Sequence, residues 1–203
     1  MEQRQQVIIR LAALGTRPEL AEPLRAEFER VCVREMAPRI ELYECGLMLH
    51  LFAGFPAALE YLRVLRTIWP LSIPAIGQES HSHIDRHAER FANGKLLFNA
   101  VYGRKALVVE RGLESISPEL ANWAILDGYG KTLSRPELDL VTRELCIVAM
   151  LTQLGWSAQL KSHLMGALNV GATRADVVEA IEIAGLGDND RIRTATNLFE
   201  LVS

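Results

Sequence analysis

Metal binding, dithiol redox chemistry and nucleic-acid binding all have little support in this sequence. The 203 residues include only three cysteines, and no two of them have the short spacing of a metal or dithiol site: Cys32, Cys45 and Cys146. An odd number of cysteines within apolar segments predicts buried, reduced thiols. The formal net charge of -3 leaves no basic surplus to attract a nucleic acid. We therefore expect neither a metal ion nor a nucleic-acid partner.

Apolar runs of membrane length are missing as well, and the first residues, MEQRQQ, are polar. These two absences predict a protein without a membrane span that resides in the cytosol. A composition of 49% hydrophobic and 23% charged residues is typical of a globular protein. The length is sufficient for one large or two small domains with a buried core.

The apolar residues recur with helical periodicity, and no stretch alternates in the manner of a β-hairpin. The sequence therefore predicts an all-α fold. The segment from Trp69 to Ser82 combines two prolines, a glycine and polar residues, which favours a linker. The predicted helices are Gln3–Leu14, Pro18–Met36, Ile40–Phe52, Pro56–Ile68, Ile84–Val101, Pro118–Gly130, Pro136–Leu154, Ser157–Val170, Arg174–Ala184 and Asp190–Leu201.

The most informative stretch runs from residue 143 to residue 173 and has the pattern of two helices joined at Gly155. Residues 145–154 are apolar nearly all round, which predicts a buried helix. After the glycine, apolar residues and one histidine, His163, share a helix face. Gly171 provides a helix stop, and Thr173 with Asp176 forms a capping box for the next helix.

Glu144 and His163 are the polar residues of interest in these two helices. If the helices fold back at Gly155, Glu144 lies about 16 Å along one arm and His163 about 12 Å along the other. The difference is less than one turn, which two side chains can span. A carboxylate held against an imidazole fixes its tautomer and prepares it for acid–base chemistry. Glu144 has a competing structural role, because it can instead pair with Arg143, Arg135 or a helix terminus.

The pattern Arg143-Glu144-Leu145, an apolar helix, Leu154-Gly155, then His163-x-x-Gly166-Ala167-Leu168-Asn169-x-Gly171-x-Thr173 resembles the carboxymuconolactone decarboxylase family. The preceding residues, from Ser134-Arg135-Pro136 to Thr142-Arg143, are similar to the same family's lead-in. The alkylhydroperoxidase-D-like branch adds a Cys-x-x-Cys pair, whose two positions are Trp156 and Gln159 here. The resemblance therefore implies the family's helical fold without the redox pair and without a cofactor.

A weak internal repeat accompanies this resemblance. Residues 11–15 align with residues 151–155, and the same offset of 140 places Arg4 and Pro23 where the second copy has Glu144 and His163. Conversely, residues 46–59, with Gly-Phe-Pro at positions 54–56, resemble a family turn that the second copy lacks. We therefore predict two degenerate copies of the family fold: residues 1–69 as a degenerate first copy, 70–83 as a linker and 84–203 as a carboxymuconolactone decarboxylase-like domain.

If each copy has lost what the other retains, the simplest interpretation is one site built from both. The predicted pocket lies where residues 49–59 pack against the hairpin from Glu144 to His163, within one chain or across a subunit boundary. The proposed substrate-binding residues are His50, Phe52, Phe55, Trp156 and Gln159. The alternative for His50 is a partly exposed polar residue beside a turn, and Trp156 has packing as its alternative.

A group of histidines lies near the predicted linker. His83 and His87 are one helical turn apart with Asp85 between them, a spacing compatible with metal binding. Nothing nearby completes a ligand set, and His81 falls within the linker itself. A solvated, capped helix start is therefore the preferred interpretation.

The resemblance implies a cofactor-free decarboxylase of a small carboxylated lactone or ring acid, with His163 as general acid and Glu144 orienting it. A non-catalytic or regulatory small-molecule binding module is the alternative, and a thiol peroxidase is a third and weaker one. Because the family forms rings of single-copy subunits, with hexamers common, a two-copy chain is expected to form a homotrimer.

Overall fold

A computed structural model describes residues 1–70 and 86–202, and the regular elements in that part of the chain are all helical. The all-α prediction is therefore confirmed. The α-helices are α1 Gln3–Leu14, α2 Ala21–Val33, α3 Arg39–Phe52, α4 Gly54–Ile68, α5 His87–Tyr102, α6 Ala106–Ile116, α7 Pro118–Trp123, α8 Leu140–Leu154, α9 Ser157–Asn169, α10 Arg174–Gly185 and α11 Asn189–Glu200. Short 3-10 turns cover Pro18–Leu20 and Gly103–Lys105, and a π-helix covers Ala124–Leu133.

The chain divides into two compact units. The main unit combines Met1–Trp69 with Pro136–Ser203, and the second unit is Pro70–Arg135. The predicted linker at 70–83 lies outside the described residues, apart from Pro70. The predicted division into a degenerate first copy at 1–69 and a carboxymuconolactone decarboxylase-like domain at 84–203 stays a prediction.

The main unit is organised around α8. Every side chain from Thr142 to Gln153 is buried, as the apolar pattern predicted for residues 145–154. A helix that is apolar all round needs neighbours on every side. Here α1, α3, α9 and α10 provide them, so that α8 forms the centre of the core.

The two glycines that the proposed repeat aligns have different conformations. Gly155 ends α8 with a left-handed φ of 75°, whereas Gly15 ends α1 with a φ of -71°. Gly15 meets a packing requirement instead, because a Cβ there would lie 2.7 Å from Tyr61 Cδ2. The two-copy interpretation therefore stays a prediction.

The second unit contains α5, α6, α7 and the π-helix. The backbones of α5 and the π-helix approach each other closely, since a Cβ on Gly94 would lie only 2.1 Å from the Ile125 carbonyl oxygen. The sequence prediction omitted α6 and extended an α-helix over residues 118–130. The structure instead has α7 followed by the π-helix, which continues to Leu133. Such π segments interrupt the ordinary ladder of hydrogen bonds and leave no clear mark in sequence periodicity.

Several predicted helix starts also differ from the structure, most clearly those at Pro136 and Pro18. The helix expected at Pro136 begins at Leu140, because the Asp139 side chain accepts a hydrogen bond from the Thr142 backbone N–H and caps it. The helix expected at Pro18 begins with a 3-10 turn. Across residues 1–70 and 86–202, no helix combines the length and apolar character needed to cross a membrane.

Candidate active site

A helical hairpin made of α8 and α9 positions the two central side chains. The left-handed conformation at Gly155 ends α8, and α9 begins two residues later. Glycine adopts this conformation without the steric cost that a Cβ imposes. The chain therefore reverses within two residues, and α9 returns along α8.

The hairpin brings His163 and Glu144 into contact. The distance from His163 Nδ1 to Glu144 Oε2 is 2.9 Å, and the two residues are 5% and 1% exposed. An ionised carboxylate only accepts hydrogen bonds, so this contact assigns a proton to Nδ1. Proton exchange with a substrate would then use Nε2, on the other side of the ring.

The end of α3 contributes an aromatic contact to this pair. The Phe52 ring lies 5.7 Å from the His163 ring, centroid to centroid, in an edge-to-face arrangement with an interplanar angle of 86°. Phe52 is half-buried and is the last residue of α3. The structure thus joins residue 52 of the N-terminal segment to residue 163 within one chain.

His50 and Phe55 form a second aromatic contact beside the first. Their ring centroids are 5.2 Å apart, and His50 Nδ1 lies 2.6 Å from the Leu47 carbonyl oxygen. His50 is half-buried, and Phe55 is 69% exposed. Of the two phenylalanines expected to wall a pocket, Phe52 touches His163, whereas Phe55 touches His50.

Trp156 and Gln159 lie exposed at the start of α9. Gln159 lies about one helical turn before His163 on α9, whereas Trp156 precedes the helix. Their roles in binding remain predictions.

Arg143 has a partner that sequence reasoning missed. It was considered as a partner for Glu144, but its Nη2 donates to Glu44 Oε2 at 3.0 Å and its Nε donates to the Leu138 carbonyl oxygen at 3.1 Å. Glu44 and Arg143 are 0% and 1% exposed. The one available signal was that Glu44 is an acid among buried apolar residues of α3.

The thiols are free, and two of the three are buried as predicted. Cys45 and Cys146 are buried, whereas Cys32 is half-buried. Burial raises the pKa of the Cys146 thiol, and contact with the neighbouring Cys45 thiol raises it further. A thiol held protonated in this way is a poor nucleophile.

The histidine group near the linker is described only in part. His81 and His83 lie outside the described residues, and His87 is the exposed first residue of α5. Within residues 1–70 and 86–202, no cluster of three histidine, cysteine or acidic side chains is arranged to hold a metal ion.

The segment that contains Glu144 and His163 matches a known protein family. The model of the carboxymuconolactone decarboxylase family matches residues 119–200. A 4-carboxymuconolactone decarboxylase from Acinetobacter baylyi is 31% identical over 96 residues, which cover 46% of this chain and 70% of that protein. The chain belongs to the carboxymuconolactone decarboxylase family. The family resemblance found in the sequence is therefore confirmed.

Two yeast relatives carry the name peroxisomal protein 2. The Schizosaccharomyces pombe protein is 36% identical over 132 residues, covering 64% of this chain and 61% of that protein. The Saccharomyces cerevisiae protein is 29% identical over 113 residues, covering 55% and 40%. The chain therefore spans less than two thirds of the length of either yeast relative. Their name describes those proteins, and the cytosolic location expected here stays a prediction.

Proposed function

We propose that this protein is a cofactor-free decarboxylase of a small carboxylated lactone or a related ring acid. The observation that carries the proposal is the buried contact between His163 and Glu144 inside the segment that matches the family. The relative named 4-carboxymuconolactone decarboxylase supplies the substrate class.

The proposed reaction uses His163 as a general acid. Loss of CO₂ from a carbon conjugated to a lactone carbonyl leaves the bonding electron pair as a dienolate, with negative charge on the carbonyl oxygen. A donor must stabilise that oxygen, and a proton must return to carbon. The imidazolium form of His163 donates the proton from Nε2, while its Nδ1–H remains hydrogen-bonded to Glu144. The Glu144 carboxylate orients the ring and offsets its positive charge before transfer.

Neighbouring residues suit the binding of a small ring. The edge-to-face contact with Phe52 restricts rotation of the His163 ring and keeps water from one side of it. His50 and Phe55 flank Phe52 in sequence, and their rings contact each other. We therefore assign them to the same binding surface, beside Phe52. Trp156 and Gln159 would border the entrance on α9.

A non-catalytic small-molecule binding module is the second candidate. The near-complete burial of Glu144 and His163 is also what a pair kept for structure would show, because a buried carboxylate needs a partner in either case. A thiol peroxidase has less support. Trp156 and Gln159 occupy the redox cysteine positions, and Cys146 is buried with a raised pKa.

The test is CO₂ release by the purified protein from a panel of carboxylated lactones and ring acids. The key variant is His163→Gln, since the glutamine amide can still donate to Glu144 and preserve the fold. His87→Gln, at an exposed histidine on α5, is the matched control. Turnover that is lost in His163→Gln and kept in His87→Gln supports the decarboxylase. Ligand-induced thermal shifts without CO₂ release favour the binding module, and folded protein that neither binds nor turns over contradicts both.

We further propose that the chain assembles as a homotrimer. Each chain would contribute two copies of the fold, and the six copies would be arranged as in a hexamer of single-copy relatives. Light scattering on the purified chain tests this assembly. A monomer in solution would contradict it.

A further inference from the structure

The outer side of α6, in the second unit, exposes large apolar side chains. Leu107, Val108 and Ile116 are 57%, 72% and 80% exposed, although side chains of these types are usually buried. The inner side of α6 carries the buried Ala106 and the half-buried Leu113, and the helix packs against α5 and α7. Exposed apolar side chains that lie together on one helix indicate an interaction surface.

Gly112 lies at the middle of this exposed side. Val108, Gly112 and Ser115 are spaced i, i+4 and i+7 and are all exposed, so they form its centre line. Glycine inside a helix is less favourable than alanine. Here its φ is not positive, and a Cβ would meet no other part of the described chain within 4 Å. Neither backbone conformation nor internal packing therefore requires a glycine, whereas the close approach of a second helix does.

The charged residues on this side are separated by sign along the helix axis. Arg104 and Lys105 come directly before α6, Glu114 lies in its last turn, and Glu119 follows it. All four are exposed. This order opposes the helix dipole, which favours acidic residues at the start of a helix and basic residues at its end. An antiparallel second copy of α6 compensates for this, because its acidic end lies beside the basic start.

The two halves of α6 also match each other about Gly112. In a pair with a two-fold axis, residues at equal distances before and after the axis face each other. Val108 and Ile116 lie four positions before and after Gly112, so each meets an apolar side chain of the other copy. Arg111 and Glu114 lie one turn apart, close to the axis, so each guanidinium lies beside a carboxylate of the other copy.

We propose that the outer side of α6 binds a second copy of this chain, with the two α6 helices antiparallel about a two-fold axis at Gly112. The contact uses the same residues on both copies and therefore closes at two. Its exposed charge pairs are screened by salt, so association should weaken as the salt concentration rises. The contact does not depend on the proposed reaction or on the proposed trimer, and it joins either two single chains or two trimers.

Sedimentation equilibrium of the full chain over a range of protein concentrations tests the pairing. Wild type should reach the mass of two chains, or of six chains where the proposed trimer also forms. Gly112→Gln should halve this mass, because a long side chain on the centre line keeps the two helices apart. Its Tm should not fall, since glutamine is the better helix former and a Cβ has free space at this position.

Charge reversal tests whether the two helices are antiparallel. Arg111→Glu and Glu114→Arg should each halve the mass, because each variant places like charges beside each other. An equal mixture of the two variants should restore the wild-type mass, since the new carboxylate of one meets the new guanidinium of the other. A contact within one chain cannot respond to mixing. Arg193→Glu, at an exposed position on α11, is the matched control and should leave the mass unchanged.

Three outcomes would overturn the proposal. A wild-type mass of one chain, or of three chains, would exclude the pairing, and three chains would leave the proposed trimer intact. Wild-type mass in Gly112→Gln and in both charge reversals would place the contact on another surface. A mixture of the reversed variants that stays at half the wild-type mass would exclude an antiparallel contact between copies.

Discussion

Glu44 and Arg143 form a buried ion pair between α3 and α8, with Glu44 Oε2 3.0 Å from Arg143 Nη2 and neither side chain more than 1% exposed. The two residues are 99 positions apart in sequence, and their contact connects the two helices. Because α3 also carries Phe52 and α8 also carries Glu144, the ion pair holds the two halves of the candidate site in register.

Removing one partner of this ion pair should be strongly destabilising. Glu44→Ala removes a carboxylate that contacts the buried Arg143 guanidinium, and breaking a buried ion pair costs about 3–5 kcal/mol. Urea unfolding followed by circular dichroism measures the loss. Glu60→Ala removes the exposed partner of Arg63 and should have little effect on stability, because water and salt screen an exposed pair. Similar losses in the two variants would show that the buried pair has no special role.

The Glu144 contact should control the tautomer of His163. In wild type we expect the neutral ring to carry its proton on Nδ1, and Glu144→Gln should weaken this preference because an amide offers both a donor and an acceptor. Long-range ¹H–¹⁵N NMR correlations of the ring report the tautomer. His50 is an internal control, because its Nδ1 contacts the Leu47 carbonyl oxygen and should keep its proton in both proteins. An unchanged His163 tautomer in the variant would contradict the assignment.

Phe52, rather than Phe55, should couple energetically to His163. A double-mutant cycle of Phe52→Ala with His163→Gln should show an interaction of about 0.5–1.5 kcal/mol in unfolding free energy, typical of an edge-to-face ring contact. The same cycle with Phe55→Ala should be additive to within about 0.5 kcal/mol, since Phe55 contacts His50 instead. Equal coupling in the two cycles would contradict the arrangement of the rings.

Asp139 should make the stability of the main unit depend on pH. Partial burial raises the pKa of this carboxyl, but hydrogen bonds from Thr142 and Arg4 outweigh burial and hold the pKa below its usual value. A carboxyl with a lowered folded-state pKa stabilises the fold above its unfolded pKa of about 3.9, and this contribution disappears as pH falls through the folded value.

The corresponding variant is Asp139→Asn, which retains an oxygen for the Thr142 N–H but removes the charge. The variant should have a lower free energy of unfolding than wild type. This difference should be largest near neutral pH and should shrink as pH falls below about 4. The effect should be small, because the Asp139 side chain is 45% exposed. Chemical denaturation at several pH values measures the deficit, and Asp127→Asn, at an exposed position, is the control. A deficit that grows on acidification would reverse the assigned direction.

Much of the fold follows from local signals in the sequence. The apolar run after Glu144 predicted a buried helix, and the structure makes that helix the centre of the main unit. Gly155 predicted the turn between the two arms. The capping box of Thr173 and Asp176 is present at the start of α10. These features depend on residues within about one helical turn of each other, so the sequence determines them directly.

Two other elements were missed. Helix α6 is strongly amphipathic, so its periodic signal was present in the sequence and was overlooked. The π-helix at Ala124–Leu133 follows a hydrogen-bond pattern that sequence periodicity does not register.

The sequence by itself determined the helical class, the family and the two candidate catalytic residues. Only the tertiary structure decided which partner each buried polar group has. Arg143 follows Glu44 by 99 residues and pairs with it rather than with the adjacent Glu144, and Phe52 rather than Phe55 contacts His163. A buried charge must have a partner, but which partner it has depends on which helices pack against each other and in what register. The packing of the whole core determines these pairings, and no short sequence pattern indicates them.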